Sequence, residues 1–195
     1  SIQGSKESIN QVLKMINKKA YTQVKVDNEL VNFEKEIIFK DVGFKYKGTD
    51  RFIIKNTNLK INKGETLGII GETGCGKSTL VDLIMGLLKP SEGEIIVDGI
   101  DINKSNKKLI SWRKKIAHVP QNIFLSDATI YENIAFGIPP ENIDIQKVKL
   151  SAKQAYLSSF INSLSSGLNT MVGEMGAKIS GGQKQRIGIA RAFYK

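Results

Sequence analysis

The chain has 195 residues, enough for one substantial hydrophobic core or a core with a small subdomain. No run approaches the ~18 consecutive apolar residues of a membrane span, residues 1–7 carry no secretory leader pattern, and the single cysteine excludes an internal disulfide. The polypeptide itself therefore reads as soluble and suited to a reducing, cytoplasmic compartment. Its net charge of +10, from 29 basic and 19 acidic residues, is scattered along the chain with only short clusters at 106–108 and 113–115. No specific nucleic-acid partner is expected from that pattern, and the excess suits an anionic nucleotide or an acidic membrane face.

In chain order, Ile9, Val12, Leu13 and Ile16 fall at helical spacing over residues 5–17, which predicts an amphipathic helix too short to stand alone. A polar connector runs from there to Lys35. Ile37, Phe39, Phe44 and Tyr46 alternate as in a strand, with an interruption near Val42-Gly43, and residues 52–61 predict a second strand closed by the turn Asn62-Lys63-Gly64-Glu65. A β-subdomain in this region is the expectation.

The most informative stretch follows. An apolar, strand-like run, Thr66-Leu67-Gly68-Ile69-Ile70, leads into Gly71-Glu72-Thr73-Gly74-Cys75-Gly76-Lys77-Ser78, and a helical pattern continues to residue 88. The eight residues fit G-x-x-x-x-G-K-[ST] in the strand–loop–helix setting the pattern requires. Glycines let successive backbone N–H groups turn inward around phosphate oxygens, and the helix adds its positive N-terminal end. Lys77 is placed to reach the outer phosphates of a nucleoside triphosphate, the Ser78 hydroxyl to ligate a bridging Mg²⁺, and Thr79 to offer a further hydroxyl or N–H. Cys75 sits beside Lys77 and the helix start, surroundings that favour a reactive thiol; a small residue tolerated in a tight loop is the alternative.

Lys89-Pro90-Ser91-Glu92-Gly93 predicts the stop of that helix, and residues 94–97 a short strand turning at Asp98-Gly99. Residues 104–115 read as a helix and 116–119 as a buried strand containing the only histidine, His118, which reads as a core or surface-edge residue. Pro139-Pro140 marks a loop, residues 144–164 are helical in pattern, Ser165-Ser166-Gly167 ends them, and residues 180–194 predict a last helix with Gly181-Gly182 near its start.

That last helix opens with Ile179-Ser180-Gly181-Gly182-Gln183, which resembles the Leu-Ser-Gly-Gly-Gln signature of the ABC family with Ile in place of Leu. Val119-Pro120-Gln121 resembles the same family's Q-loop. With Gln121 and Ser180 lying 44 and 103 residues beyond Lys77, the three motifs occur in the family's order, and the chain resembles an ABC transporter nucleotide-binding domain from about Glu36 onward. The segments Thr170-Met171-Val172-Gly173-Glu174-Met175-Gly176 and Phe124-Leu125-Ser126-Asp127-Ala128-Thr129-Ile130 resemble the exporter branch.

The resemblance implies an α/β fold: a P-loop NTPase core with a parallel sheet, an N-terminal antiparallel β-subdomain, and a helical subdomain at about 122–180. Residues 1–35 would be the amphipathic helix and linker from a membrane domain, and 36–195 the nucleotide-binding domain. Tyr46 matches the aromatic that stacks on adenine, an ordinary strand aromatic being the alternative. Gln121 would act as a catalytic and Mg²⁺-contacting residue with Lys77. Ser180, Gly181, Gly182 and Gln183 would cap the γ-phosphate of an ATP held by a second nucleotide-binding domain, in a homodimer or a paired half. The implied function is the ATP-binding motor of an exporter or flippase on the cytoplasmic face of a membrane, joined to a transmembrane domain of the same polypeptide; a soluble ABC ATPase acting on ribosomes or DNA is the rival reading. The family's Asp-Glu pair (Walker B) lies past the signature helix, so the expectation is a piece cut from a longer protein that alone binds nucleotide weakly at best and hydrolyses it negligibly. The cargo is not legible.

Overall fold

The computed structural model describes Leu13 and residues 31–195; the predicted amphipathic helix over 5–17 lies outside these residues apart from Leu13. Two compact units follow one another, the first ending at Lys115 and the second spanning Ile116–Lys195.

In the first unit, β1 (Glu36–Phe44), β2 (Ile54–Asn62), β3 (Glu92–Val97) and β4 (Ile100–Asp101) form one sheet in the order β2-β1-β3-β4, with every neighbouring pair antiparallel. Phe39 sits between Leu59 on one side and Ile95 on the other, and Ile37 between Ile61 and Val97, so the alternation seen in the sequence becomes one apolar face. Burial of side chains such as Phe39 (1% exposed) and Val42 (0%) contributes about 1.5–3 kcal/mol each.

The face survives an interruption because the register shifts between Phe39 and Val42, moving the buried positions from Ile37 and Phe39 to Val42 and Phe44. Asp41 takes φ 47° in this bulge and exchanges two bonds with Asn58, Nδ2 to Oδ1 at 2.8 Å and N to Oδ1 at 3.0 Å. The neighbouring strand must yield. A Cβ on Gly93 (φ +75°) would lie 2.3 Å from the Lys40 carbonyl oxygen, so glycine is the residue that lets β3 pass under the bulge.

Helix α1 (Lys77–Ile84) buries Thr79 and Leu83 and stops earlier than the apolar run suggested. The stop lies at Gly86 (φ +67°), where a Cβ would meet Leu109 Cδ1 at 2.7 Å. Side chains of α2 (Asn106–Lys115) take up the end: Trp112 Nε1 donates to Ile84 O at 2.8 Å and Arg113 Nε to Gly86 O at 2.8 Å. The connector ahead of β1 is packed from Val31 on, with Val31 N donating to Ser111 Oγ at 3.1 Å and Phe33 edge-on to Trp112.

Two segments read as strands carry no ladder. Residues 66–70 and 116–119 are irregular and join no ladder, Ile70 is 94% exposed, and His118 lies at the surface. An apolar run signals a tendency to be covered, whereas a parallel strand also needs a neighbour brought in by a crossover. Among the described residues, none is paired with either segment, and all the ladders are antiparallel.

The second unit holds α3 (Ile130–Ile134), α4 (Ile145–Gln154), α5 (Ser158–Ser163) and α6 (Gly181–Tyr194) around a core that includes Leu125, Ile130, Ile134, Val148, Leu157, Val172 and Ile187. The helical stretch 144–164 is divided where Tyr156 takes φ 56°. Its start is capped by Asp144, whose Oδ1 accepts from Gln146 N and Lys147 N at 2.9 and 3.0 Å.

The turn after β3 is closed by Asp98, whose carboxylate accepts from the backbone N–H groups of Glu36 (2.7 Å), Glu34 (2.5 Å) and Lys35 (3.1 Å). Burial alone would raise this carboxyl, but the three N–H donors and nearby Lys63 outweigh it and hold the pKa below the ordinary value. A depressed folded-state pKa gives stability that is present above the unfolded value, near 3.9, and lost as pH falls through the folded value. Asp98→Asn should therefore lower stability at neutral pH by roughly 1–3 kcal/mol and flatten its decline below about pH 4, read by urea unfolding across pH.

Candidate nucleotide-binding site

The loop between residues 71 and 76 gets its shape from glycines in the left-handed region, Gly74 at φ 85° and Gly76 at φ 100°. A Cβ on Gly76 would press on Ile53 Cγ2 at 3.0 Å, while the space beside Gly74 is open. Gly76 is the N-cap of α1 and makes no side-chain cap bond, and no acidic residue lies in the first turn. The helix start thus presents unpaired N–H groups and positive potential, an arrangement complementary to an anion.

Lys77 folds back over the loop, with Nζ donating to the carbonyl oxygens of Gly71 (2.7 Å) and Glu72 (2.6 Å). Its ammonium is thereby held beside the concavity, 3.9 Å from the exposed Cys75 Sγ. Glu72, Thr73 and Ser78 are exposed around it. Thr79 points the other way: it is 6% exposed and its hydroxyl lies 3.2 Å from Tyr46 Oη. That hydrogen bond, with the edge-on contact of Tyr46 to Phe44 at 4.9 Å, fixes an aromatic face that stays 46% exposed next to the loop's helix. Tyr46 and the loop are therefore brought together within one unit. A hard oxygen at Ser78, one residue into the helix, fits a Mg²⁺ ion, which takes few protein ligands and completes its shell with water and phosphate oxygens.

Gln121 and the signature residues lie in the second unit. Gln121 is exposed in an irregular segment. Ser180 is the N-cap of α6 in a reciprocal capping box, its Oγ accepting from Gln183 N at 3.3 Å and its N–H donating to Gln183 Oε1 at 2.9 Å. Gln183 is thus turned toward its own cap. Gly181 and Gly182 are exposed, lack positive φ, and have nothing within 4 Å of a built Cβ. Glycine weakens a helix by about 1 kcal/mol relative to alanine, so two of them with no internal demand leave clear space at a helix N-terminus for an approaching group. The preceding loop is stitched to this end by Lys184 Nζ, which donates to Met175 O at 3.0 Å.

Sequence reasoning named Thr79 for the phosphates but not its tie to Tyr46, and it passed over the pair formed by Asn133 and, on the signature helix itself, Arg191. The Asn133–Arg191 contact spans 58 positions, beyond the reach of any local pattern.

A left-handed glycine loop, an uncapped helix, a lysine at the helix start and an adjacent aromatic face define a P-loop nucleotide-binding domain of mixed α/β construction. Comparison with known proteins agrees: the family described as ABC transporter matches residues 54–195, and the chain belongs to that family. It is 38% identical over 161 residues to an ATP-dependent lipid A-core flippase of Cupriavidus metallidurans, covering 82% of this chain and 27% of that protein. Over 161 residues it is 46% identical to ABC transporter B family member 3 of Dictyostelium discoideum, covering 82% of this chain and 11% of that one. Among solved structures it matches a bacterial Atm1-family ABC exporter with ATP bound, at TM-score 0.74 and 37% identity over 85% of this chain and 28% of the other. The chain thus spans about a quarter or less of the length of these relatives.

Because no contact among the described residues requires glycine at 182, Gly182→Ala should raise stability by up to about 1 kcal/mol in urea unfolding. A loss of stability instead would reveal a packing demand on that position.

Proposed function

We propose that this chain is the ATP-binding part of an ABC exporter or flippase, in which two such domains close around two ATP molecules to drive transport across a membrane. The observation that carries the reading is the uncapped, glycine-lined start of α1 with the Lys77 ammonium held beside it. The relatives' names, a lipid A-core flippase and an Atm1-family exporter among them, favour the exporter over a soluble ABC ATPase acting on ribosomes or DNA. Among the described residues no helix is long and apolar enough to cross a membrane, so the spanning part would come from a transmembrane domain joined to this one on the cytoplasmic side.

In this reading the triphosphate is held by backbone N–H groups of residues 74–79, and Lys77 exchanges the carbonyls of Gly71 and Glu72 for phosphate oxygens. The exchange is favourable because an ammonium–phosphate bond is charge-assisted while a carbonyl is neutral. The exposed face of Tyr46 stacks on the adenine ring, worth about 1–3 kcal/mol. Mg²⁺ would be held by Ser78 and would supply charge neutralisation to the outer phosphates; a metal-contacting role for Gln121 rests on the family resemblance. Ser180, Gly181 and Gly182 of one copy cap the γ-phosphate bound to the other, through helix N–H groups and a hydroxyl whose proton remains available. The geometry of such a pair is twofold, each copy contributing a P-loop and a signature.

Transfer of the phosphoryl group to water needs a positioned carboxylate or amide as well as this electrostatic clamp. No adjacent Asp-Glu pair occurs in the 195 residues, so the chain alone should bind ATP and turn it over negligibly. Steady ATP hydrolysis by the purified chain would refute that part.

Lys77→Ala should weaken binding of a fluorescent ATP analogue by at least tenfold with little change in melting temperature, read by titration. Mg-ATP should also slow maleimide labelling of exposed Cys75 in the wild type but not in Lys77→Ala. Equal affinity in both proteins, or labelling indifferent to ATP, would contradict the cradle.

A further inference from the structure

We propose that Arg191, acting with Asn133, is a positioning residue that aims the Ser180-Gly181-Gly182 end of α6, so that its loss impairs nucleotide-dependent pairing of two copies while leaving single-copy nucleotide binding intact. The inference rests on the proposed role of the signature residues and extends it to groups that touch no nucleotide.

Arg191 is half-buried near the far end of α6. Its guanidinium is divided three ways: Nε donates to Asn133 O at 2.5 Å, Nη1 to Phe124 O at 2.6 Å, and Nη2 to Asn133 Oδ1 at 2.9 Å. The remaining face lies over the Phe136 ring, 4.6 Å from its centroid, and Phe136 in turn meets Phe124 edge-on at 6.4 Å. No carboxylate pairs with Arg191 among the described residues. Withdrawing a cation from water without an acidic partner is costly, and a well-packed apolar residue could fill the volume at less expense. What the guanidinium supplies and an apolar residue cannot is a rigid fork with directional bonds to three acceptors.

The acceptor is equally constrained. Asn133 is 0% exposed; its Oδ1 also accepts from Ser126 N at 3.0 Å, and its Nδ2 donates to Ser126 O at 3.1 Å and Thr129 O at 3.0 Å. The loop 126–129, α3 and the end of α6 therefore share one polar knot. A second clamp lies a turn earlier on α6: a Cβ on Gly188 would come within 2.5 Å of Ile123 Cδ1, so helix and segment lie flush two residues after Gln121. Segment 123–136 and α6 are thus locked at two points in a single body.

Leverage makes the lock matter at the other end. Eleven residues separate Arg191 from Ser180, about 16 Å of helix, so a tilt of roughly 10° about the knot displaces the signature end by about 3 Å. A hydrogen-bonding cap for a phosphate tolerates much less.

The test uses the full 195-residue chain. A fluorescent ATP analogue gives nucleotide affinity, and sedimentation with and without Mg-ATP gives self-association. For Arg191→Ala the expected result is an affinity within twofold of wild type and ATP-dependent association weakened at least tenfold. Arg191→Lys, which keeps the charge but not the fork, should fall between the two and serves if the alanine variant does not fold. Wild-type-like association in either variant, or parallel loss of affinity and association in both, would overturn the positioning role. If the wild type itself binds ATP but does not associate, the pairing claim fails first and takes this inference with it; association of the wild type with indifferent variants removes the inference alone.

Discussion

Everything proposed for this chain depends on one open helix end. Helix α1 begins at a left-handed glycine, carries no capping side chain and no acid in its first turn, and so leaves several N–H groups and a partial positive charge without an internal partner. Three other helix starts are closed by side chains: Asp144 caps α4, and Thr129 and Ser180 make capping boxes. The contrast is functional in kind. The six-residue α5 also starts without a side-chain cap, at Leu157, but only the start of α1 joins left-handed glycines to a lysine, the combination that suits an external anion.

The surroundings serve that opening. The antiparallel sheet, with its bulge at Asp41 and its Gly93 crossing, supports Tyr46 at the margin of the loop, and the Tyr46–Thr79 hydrogen bond ties the aromatic to the same helix. The carboxyl end of α1 is gripped by Trp112 and Arg113, so the helix is anchored at the end away from its ligand. In the other unit α6 is anchored far from Ser180 by Arg191 and Gly188, and at its capped start Gly181 and Gly182 carry no side chain that would obstruct an approaching group. Rigid attachment at the far end of a helix is a means of preorganising the N–H donors at its start, which lowers the cost of ordering them around an anion.

What could be read from the sequence was what is encoded over a few residues. The P-loop follows from glycine spacing and one lysine, the interruption of β1 from the broken alternation at Val42-Gly43, and α6 from a serine cap followed by helical spacing. The unread parts share a physical cause: they depend on partners distant in sequence. Residues 66–70 and 116–119 have the composition of buried strands, but pairing is supplied by other chain segments, and the runs themselves cannot state it. The early stop of α1 is set by Leu109 against Gly86, the closure at Asp98 by backbone 62 to 64 residues away, and the Arg191 knot by acceptors 58 and 67 residues away. The roles given to Gln121 and the signature came from resemblance, and they stand as proposals about a closed pair.

The most direct measurement is amide hydrogen exchange of the chain with and without Mg-ATP. If backbone N–H groups at the mouth of α1 grip the triphosphate, exchange at residues 74–79 should slow strongly on adding nucleotide, with protection at 181–183 growing as protein concentration rises. Protection confined to other segments, or exchange at 74–79 that ignores ATP, would contradict the account.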